Sequence, residues 1–207
     1  MSGVRGFISF EGIEGSGKST QSKLLAAYLR SKGRDVIETA EPGGTRIGNK
    51  IRQLLLEPQN HMDPLAELLL YYSSRAQHVR EVVYPAIIRN TIVITDRFTD
   101  STVAYQGYAR GIDLGIINAL NEIVVPEMKP VLTFLLDLDV EEGLRRNRQA
   151  RKEDRFELEA VEFHKLVRNG FLEIAREEPA RVKVVDASRD AAEVSREIIR
   201  IFEESWR

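Results

Sequence analysis

Short runs rich in Val, Ile and Phe alternate along the chain with longer stretches whose apolar residues recur at intervals of three and four. The runs GFISF (6–10), DVIET (35–39), TIVITD (91–96), VLTFLLDL (131–138) and RVKVVDA (181–187) are short and apolar, and they predict five strands. Between them, KSTQSKLLAAYLRSKG sets Leu24, Leu25, Tyr28 and Leu29 at helical spacing, with Gly33 as its stop. PLAELLLYYSSRAQHVREVVYPAIIRN predicts a long helix disturbed near Pro85, because proline removes a donor and crowds the preceding turn. AVEFHKLVRNGFLEIAREE and DAAEVSREIIRIFEESW predict two further helices, and in the first long helix Leu68, Leu69 and Tyr72 form a stripe that suits either a core or an interface. Strands alternating with helices predict an α/β fold, a five-stranded, mostly parallel sheet covered by helices on both faces.

Composition narrows the function classes. At 207 residues the chain suits one domain spanning 1–207, with room for a small mobile insertion. A net charge of −2 argues against a general nucleic-acid or membrane-surface binder, so an anion site must be local. There is no cysteine, hence no disulfide and no thiolate metal site, and His61, His78 and His164 are too scattered to suggest a zinc cluster. MSGVRGFISF lacks a signal-peptide pattern, and no apolar run approaches the roughly 18 residues of a membrane span. A soluble, cytoplasmic protein is expected. One segment departs from the average: RRNRQARKEDR (145–155) holds six basic and two acidic residues.

The chemistry is concentrated in FEGIEGSGKST (10–20). Gly12, then four residues (Ile13, Glu14, Gly15, Ser16), then Gly17, Lys18 and Ser19 follow a predicted strand and open a predicted helix, the context that a P-loop requires. The glycines let backbone N–H groups point inward, Lys18 reaches the β/γ-phosphates, Ser19 offers a hydroxyl to Mg²⁺, and the helix N-terminus running on to Thr20 adds a favourable dipole. A nucleoside triphosphate is therefore expected as ligand. The next strand ends in Asp96-Arg97, which reads either as a Walker B carboxylate on the magnesium shell with an arginine toward phosphates, or as a local ion pair. The only Asn-Lys, at 49–50, is followed by Ile51 and Arg52, which is not a guanine-reading motif. A small kinase is expected, and EPGGT (41–45), LLLYYSSRAQH and DRFTDSTVAYQGYARG (96–111) carry the candidates for its acceptor site. Tyr71 and Arg75 lie four apart on one helix face, where a ring can stack on a base beside a guanidinium; a core position for Tyr71 fits the same spacing.

Taken together and in order, FEGIEGSGKST, EPGGT, SSRAQH, DRFTDSTVAYQGYARG and the basic segment ending DRFE resemble the bacterial thymidylate kinases across almost the whole chain. The resemblance implies a P-loop nucleoside-monophosphate-kinase fold, a lid at about 143–157, and transfer of phosphate from ATP with Mg²⁺ to thymidine 5′-monophosphate in a homodimer. It implies that residues 12–20 hold ATP, that Ser19 and Asp96 serve the metal, and that Arg97 contacts the acceptor phosphate. It places Tyr71 against thymine, Arg75, Gln106 and Thr102 at the thymine edge, Tyr105 beside the sugar 2′-position, Arg52 and Glu41 in the acceptor site, and Glu14 at the 3′-hydroxyl. Ala40 departs from the arginine that many relatives carry before EPGG. The family supplies its catalytic cation either from the P-loop or from the lid, and Ile13, Glu14, Gly15 and Ser16 include no base. Arg151 and Arg155 are then the foremost lid candidates, with Arg145, Arg146 and Arg148 behind them. The alternatives are a kinase for another nucleoside monophosphate and a slowly hydrolysing P-loop switch.

Overall fold

The structure is a computed structural model and describes residues 4–149, 155–156 and 158–206. Five parallel strands, β1 (Val4–Glu11), β2 (Val36–Ala40), β3 (Ile92–Asp96), β4 (Pro130–Asp137) and β5 (Val182–Asp186), form one sheet in the order β2-β3-β1-β4-β5. All five fall on the predicted runs. Period-two alternation sends Phe7 and Val93 into one core cluster and Ile8, Phe10, Ile92 and Ile94 into the other, on the opposite face. Helices α1 (Lys18–Ser31), α8 (Val161–Glu177) and α9 (Ala191–Ser205) contribute Leu25, Phe171 and Phe202 to the larger cluster. Burial on both faces explains why the central strands β1, β3 and β4 read as continuous apolar runs instead of alternating ones.

The long predicted helix is broken into α3 (Pro64–His78), a widened π-type turn (Val79–Val83) and α4 (Tyr84–Ile88). The Tyr84 N–H reaches back five residues to the Val79 carbonyl, one position ahead of the Pro85 ring that blocks a regular turn. The remaining elements are α2 (Arg46–Leu56), α5 (Thr99–Thr102) continued by a second π-type turn (Val103–Ala109), α6 (Leu114–Val124) and α7 (Val140–Gln149). In the predicted stripe, Leu68 and Tyr72 are core whereas Leu69 is exposed.

The strand order positions the site. The connection leaving β1 runs toward β2, and the connection leaving β3 runs the other way, toward β4, so the crevice at the carboxyl ends of β1 and β3 is a topological switch point. Phe10 is level with Asp96, and Ala40 is level with the same residue, which brings the three segments after β1, β2 and β3 to one edge. On the far side of the loop after β1 lies α7. A Cβ on Gly15 would meet the Gly143 carbonyl at 2.1 Å, and a Cβ on Gly143 would meet the Glu14 carbonyl at 2.6 Å. Backbone thus touches backbone, which only glycine permits on both sides. Among the described residues no helix is long and apolar enough to cross a membrane.

Candidate active site

The loop after β1 has φ of 138°, 72° and 91° at Gly12, Gly15 and Gly17, conformations that a side chain resists. Lys18 curls back over it, and Nζ donates to Gly12 O (3.0 Å), Ile13 O (2.7 Å) and, more weakly, Ser16 Oγ (3.4 Å). Burial, then the nearby Arg97 charge, push the Lys18 ammonium down to about 8 despite support from Asp96, Glu14 and Glu11. The Ile13 side chain belongs to the core. Ser19 Oγ donates a short hydrogen bond to Asp96 Oδ2, so the hydroxyl and the carboxylate predicted to serve a metal meet at the mouth of α1. These are hard oxygen donors suited to Mg²⁺, which is commonly held by one or two protein groups plus phosphate and water. Among the described residues there is no cluster of three or more His, Asp or Glu that could hold a metal without such help.

Arg97 has φ of 73°, in the left-handed region that residues with a Cβ rarely adopt, and its N–H bonds Phe10 O at 2.9 Å. That turn carries the guanidinium back over the loop, where it donates to Gly12 O (3.0 Å), Ser101 Oγ (3.1 Å), Tyr105 OH (3.1 Å) and Glu14 Oε1 (3.0 Å). Tyr105 OH also donates to Glu14 Oε1 at 2.6 Å. Burial works against the Glu14 carboxylate, but His164, Arg97 and Lys18 outweigh it and hold the group well below the usual carboxylate range. Glu14 is thus the anionic partner of Arg97 inside a cationic loop.

The sequence did not single out Glu11, which lies at the end of β1, fully buried. Its two oxygens accept the Phe98 N–H (2.7 Å) and the Ser101 hydroxyl (2.6 Å), fixing the segment that presents Arg97. Burial and the Asp100 charge raise its carboxyl to about 7. A carboxylate ending the central apolar strand was the available signal, masked by the loop motif beside it.

A second arm of the cavity is built from α2, α3 and the turn after α5. The Arg75 guanidinium, 1 % exposed, donates from Nε to Glu41 Oε2 (2.7 Å) and from Nη2 to Phe98 O (3.0 Å), and it lies over the rings of Tyr72 and Phe98. His78 Nδ1 occupies the other Glu41 oxygen at 2.8 Å. Burial opposes the Glu41 charge, yet Arg75 and His78 lower its pKa. Both Glu41 oxygens are therefore engaged inside the protein, while Arg75 Nη1 and Thr102 Oγ1 are buried polar atoms with no hydrogen-bond partner among the described residues. Such atoms carry a penalty of about 1–3 kcal/mol each unless a ligand or water relieves it. Arg52 Nη1 donates to Pro42 O at 2.9 Å. Phe156, which the sequence reading passed over, stands 6.5 Å from the Tyr71 ring and edge-on to Tyr105 at 5.6 Å.

The two arms are one cavity of about 550 Å³. Its wall brings together Glu14, Gly15, Gly17, Lys18, Ser19, Thr20, Asp96 and Arg97 with Glu41, Arg52, Tyr71, Arg75, Thr102, Tyr105 and Gln106. The basic segment behaves less uniformly. Arg146 borders the cavity from α7 and bonds Glu142 (2.8 Å) and Ala187 O (3.0 Å). Arg155 does not border it, because Nη2 is drawn to the buried Glu67 carboxylate (2.6 Å) and Nε to Leu55 O (3.0 Å). Arg151 lies outside the described residues.

Residues 10–198 match the family profile described as thymidylate kinase. The chain is 52 % identical over 199 residues to the thymidylate kinase of Syntrophotalea carbinolica, covering 93 % of this chain and 92 % of that one. It is 50 % identical over 194 residues to the thymidylate kinase of a Sulfurihydrogenibium species, covering 93 % and 94 %. A crystal structure of thymidylate kinase from Ehrlichia chaffeensis superposes with a TM-score of 0.77 at 38 % identity, over 95 % of this chain and 97 % of the other.

Proposed function

Because the chain belongs to the thymidylate kinase family, we propose that its cavity holds ATP and thymidine 5′-monophosphate end to end and transfers the γ-phosphoryl group between them, supplying the diphosphate for dTTP synthesis. The observation that supports this most directly is the continuity of the cavity. Lys18 and Ser19 line it together with Tyr71 and Arg75, and Arg97 bonds both the Gly12 carbonyl of the loop and the Tyr105 hydroxyl. In this reading an oxygen of the acceptor phosphate attacks the γ-phosphorus, the bond to the β,γ-bridging oxygen breaks, and ADP leaves. The protein contributes position and charge, with little covalent chemistry of its own.

Lys18 exchanges its own loop's carbonyls for β/γ-phosphate oxygens. Arg97, aimed by Glu14 and Tyr105, takes the acceptor phosphate. The second Glu14 oxygen is buried, 3.4 Å from His164 Nδ1, and accepts no hydrogen bond among the described residues, which leaves it for the sugar 3′-hydroxyl. Tyr71 stacks on the base beside Phe156. Ser19 and Asp96 would hold Mg²⁺, which neutralises phosphate charge. Of the lid arginines, Arg146 is the described one that already borders the cavity, and a positive charge delivered to the transferring group is worth about 10³–10⁵ in rate in comparable reactions.

Exposed apolar residues on two neighbouring helices, Leu65 and Leu69 on α3 and Ile116 and Ile123 on α6, support a homodimer joined through that face. A cytoplasmic location follows from the same function. The test is ADP release with a panel of monophosphates. Thymidine and deoxyuridine monophosphates should far exceed cytidine and guanosine monophosphates, with little hydrolysis when no acceptor is present; equal rates across the panel, or rapid hydrolysis alone, would overturn the reading.

A further inference from the structure

Glu67, on α3, is fully buried and belongs to none of the motifs that point to the cavity. Its Oε2 takes Arg155 Nη2 (2.6 Å) and Arg110 Nη2 (3.3 Å), and its Oε1 takes Gln106 Nε2 (2.7 Å) and, at the edge of bonding distance, Arg110 Nε (3.4 Å). Two guanidinium groups account for a buried carboxylate, since an unpaired one would be strongly destabilising. They do not account for the neutral amide that shares it.

The amide's orientation does. A carboxylate held between two guanidiniums offers only lone pairs, so Gln106 must present its NH₂ group to Glu67 and its carbonyl elsewhere. Gln106 borders the cavity, and the bond to Glu67 is its only side-chain hydrogen bond among the described residues. In the same cavity wall Arg75 Nη1 is a buried donor without a partner among the described residues. The wall therefore shows a pyrimidine one fixed donor and one fixed acceptor, beside the buried Thr102 hydroxyl, which can serve as either and so favours neither base. Thymine and uracil answer with an acceptor at C4=O and a donor at N3–H. Cytosine offers the reverse at both positions, an amino donor at C4 and an acceptor at N3, and would leave both protein groups facing like groups.

We propose that Glu67 is a specificity-positioning residue: by locking the Gln106 amide with its carbonyl toward the cavity, it makes the site select a pyrimidine with N3–H and C4=O and reject cytosine. The proposal rests on the thymidine-monophosphate reading of the cavity and adds to it a residue that touches neither substrate nor phosphate. A site that pairs a substrate's polar edge discriminates strongly against an analogue with that edge altered, because its own buried groups then go unpaired.

The test compares kcat/KM for thymidine and deoxycytidine monophosphates in the wild type, Glu67→Gln, Gln106→Leu and the double variant, with inhibition constants wherever deoxycytidine monophosphate turns over too slowly. In Glu67→Gln the new amide can donate, so Gln106 is free to turn over. The preference for the thymidine nucleotide should fall by at least about tenfold, chiefly through KM. In the Gln106→Leu background the same substitution should leave the preference unmoved. An unchanged preference in Glu67→Gln, or an equal fall in both backgrounds, would show that Glu67 is only structural. If Glu67→Gln does not fold, Gln106→Leu decides alone, and wild-type discrimination in it overturns the proposal. Failure of the wild type to use thymidine monophosphate at all would sink the underlying reading instead.

Discussion

Lys18 is a cation kept in reserve. Its bonds to two carbonyls of its own loop hold the loop's shape, and its burial beside Arg97 brings its pKa down to about 8. The sign of the consequence is definite: the charged form is favoured below that pH and lost as pH rises through it, while in the proposed complex the phosphates of ATP would pull the pKa back up. The kcat/KM for ATP should therefore decline above about pH 8, while kcat, which reports the bound complex, holds to higher pH. Parallel pH profiles check this, and an alkaline limb at the same pH in both would assign it to another group. Lys18→Ala should abolish turnover and leave the circular dichroism spectrum and melting curve near wild type. At this scale the sequence was legible where the candidates sit in compact motifs: Lys18, Ser19, Asp96 and Arg97, singled out there, meet around one cavity. It was not legible where a residue acts through another. Glu11 and Glu67 are carboxylates in apolar stretches of the sequence, and their partners Ser101, Gln106 and Arg155 are distant in the chain. Arg155 stood out in the sequence as basic in a basic run, and in the structure its guanidinium bonds the buried Glu67 carboxylate.

Elements were legible in proportion to how completely they are buried. The central strands β1, β3 and β4 showed as apolar runs because both faces of the sheet are covered there, and α1, α8 and α9 showed their stripes because one face meets the core. Helix α6 hid itself: Ile116 and Ile123 face outward while Ile117 is buried, so no stripe stands out. The breaks are set by local chemistry. The Asp190 side chain accepts the N–H groups of Ala192 (2.7 Å) and Glu193 (3.1 Å), satisfying donors that α9 cannot. Asp190→Ala should lower stability by about 1 kcal/mol, a fall in melting temperature of roughly 2–4 °C, with kcat unchanged. Urea and thermal melts measure the first, and a loss of activity without loss of stability would show that α9 serves the site directly.

At the scale of the whole molecule, Leu69 and Ile123 are exposed apolar side chains on neighbouring helices, and a self-complementary face is the commonest way to cover such a pair. Leu69→Arg and Ile123→Arg should shift sedimentation from dimer to monomer at micromolar concentration with the helical spectrum retained. A wild type that sediments as a monomer would refute the dimer. The contact between Gly15 and Gly143 has a different reach, into heredity and engineering. A methyl on Gly15 must displace the Gly143 carbonyl and one on Gly143 the Glu14 carbonyl, so the loop after β1 and the start of α7 are sterically tied to each other. A chimera that borrows a lid from a relative is safe when its junction lies beyond 143. One spliced before that point imports half of a seam whose other half lies far back in the chain.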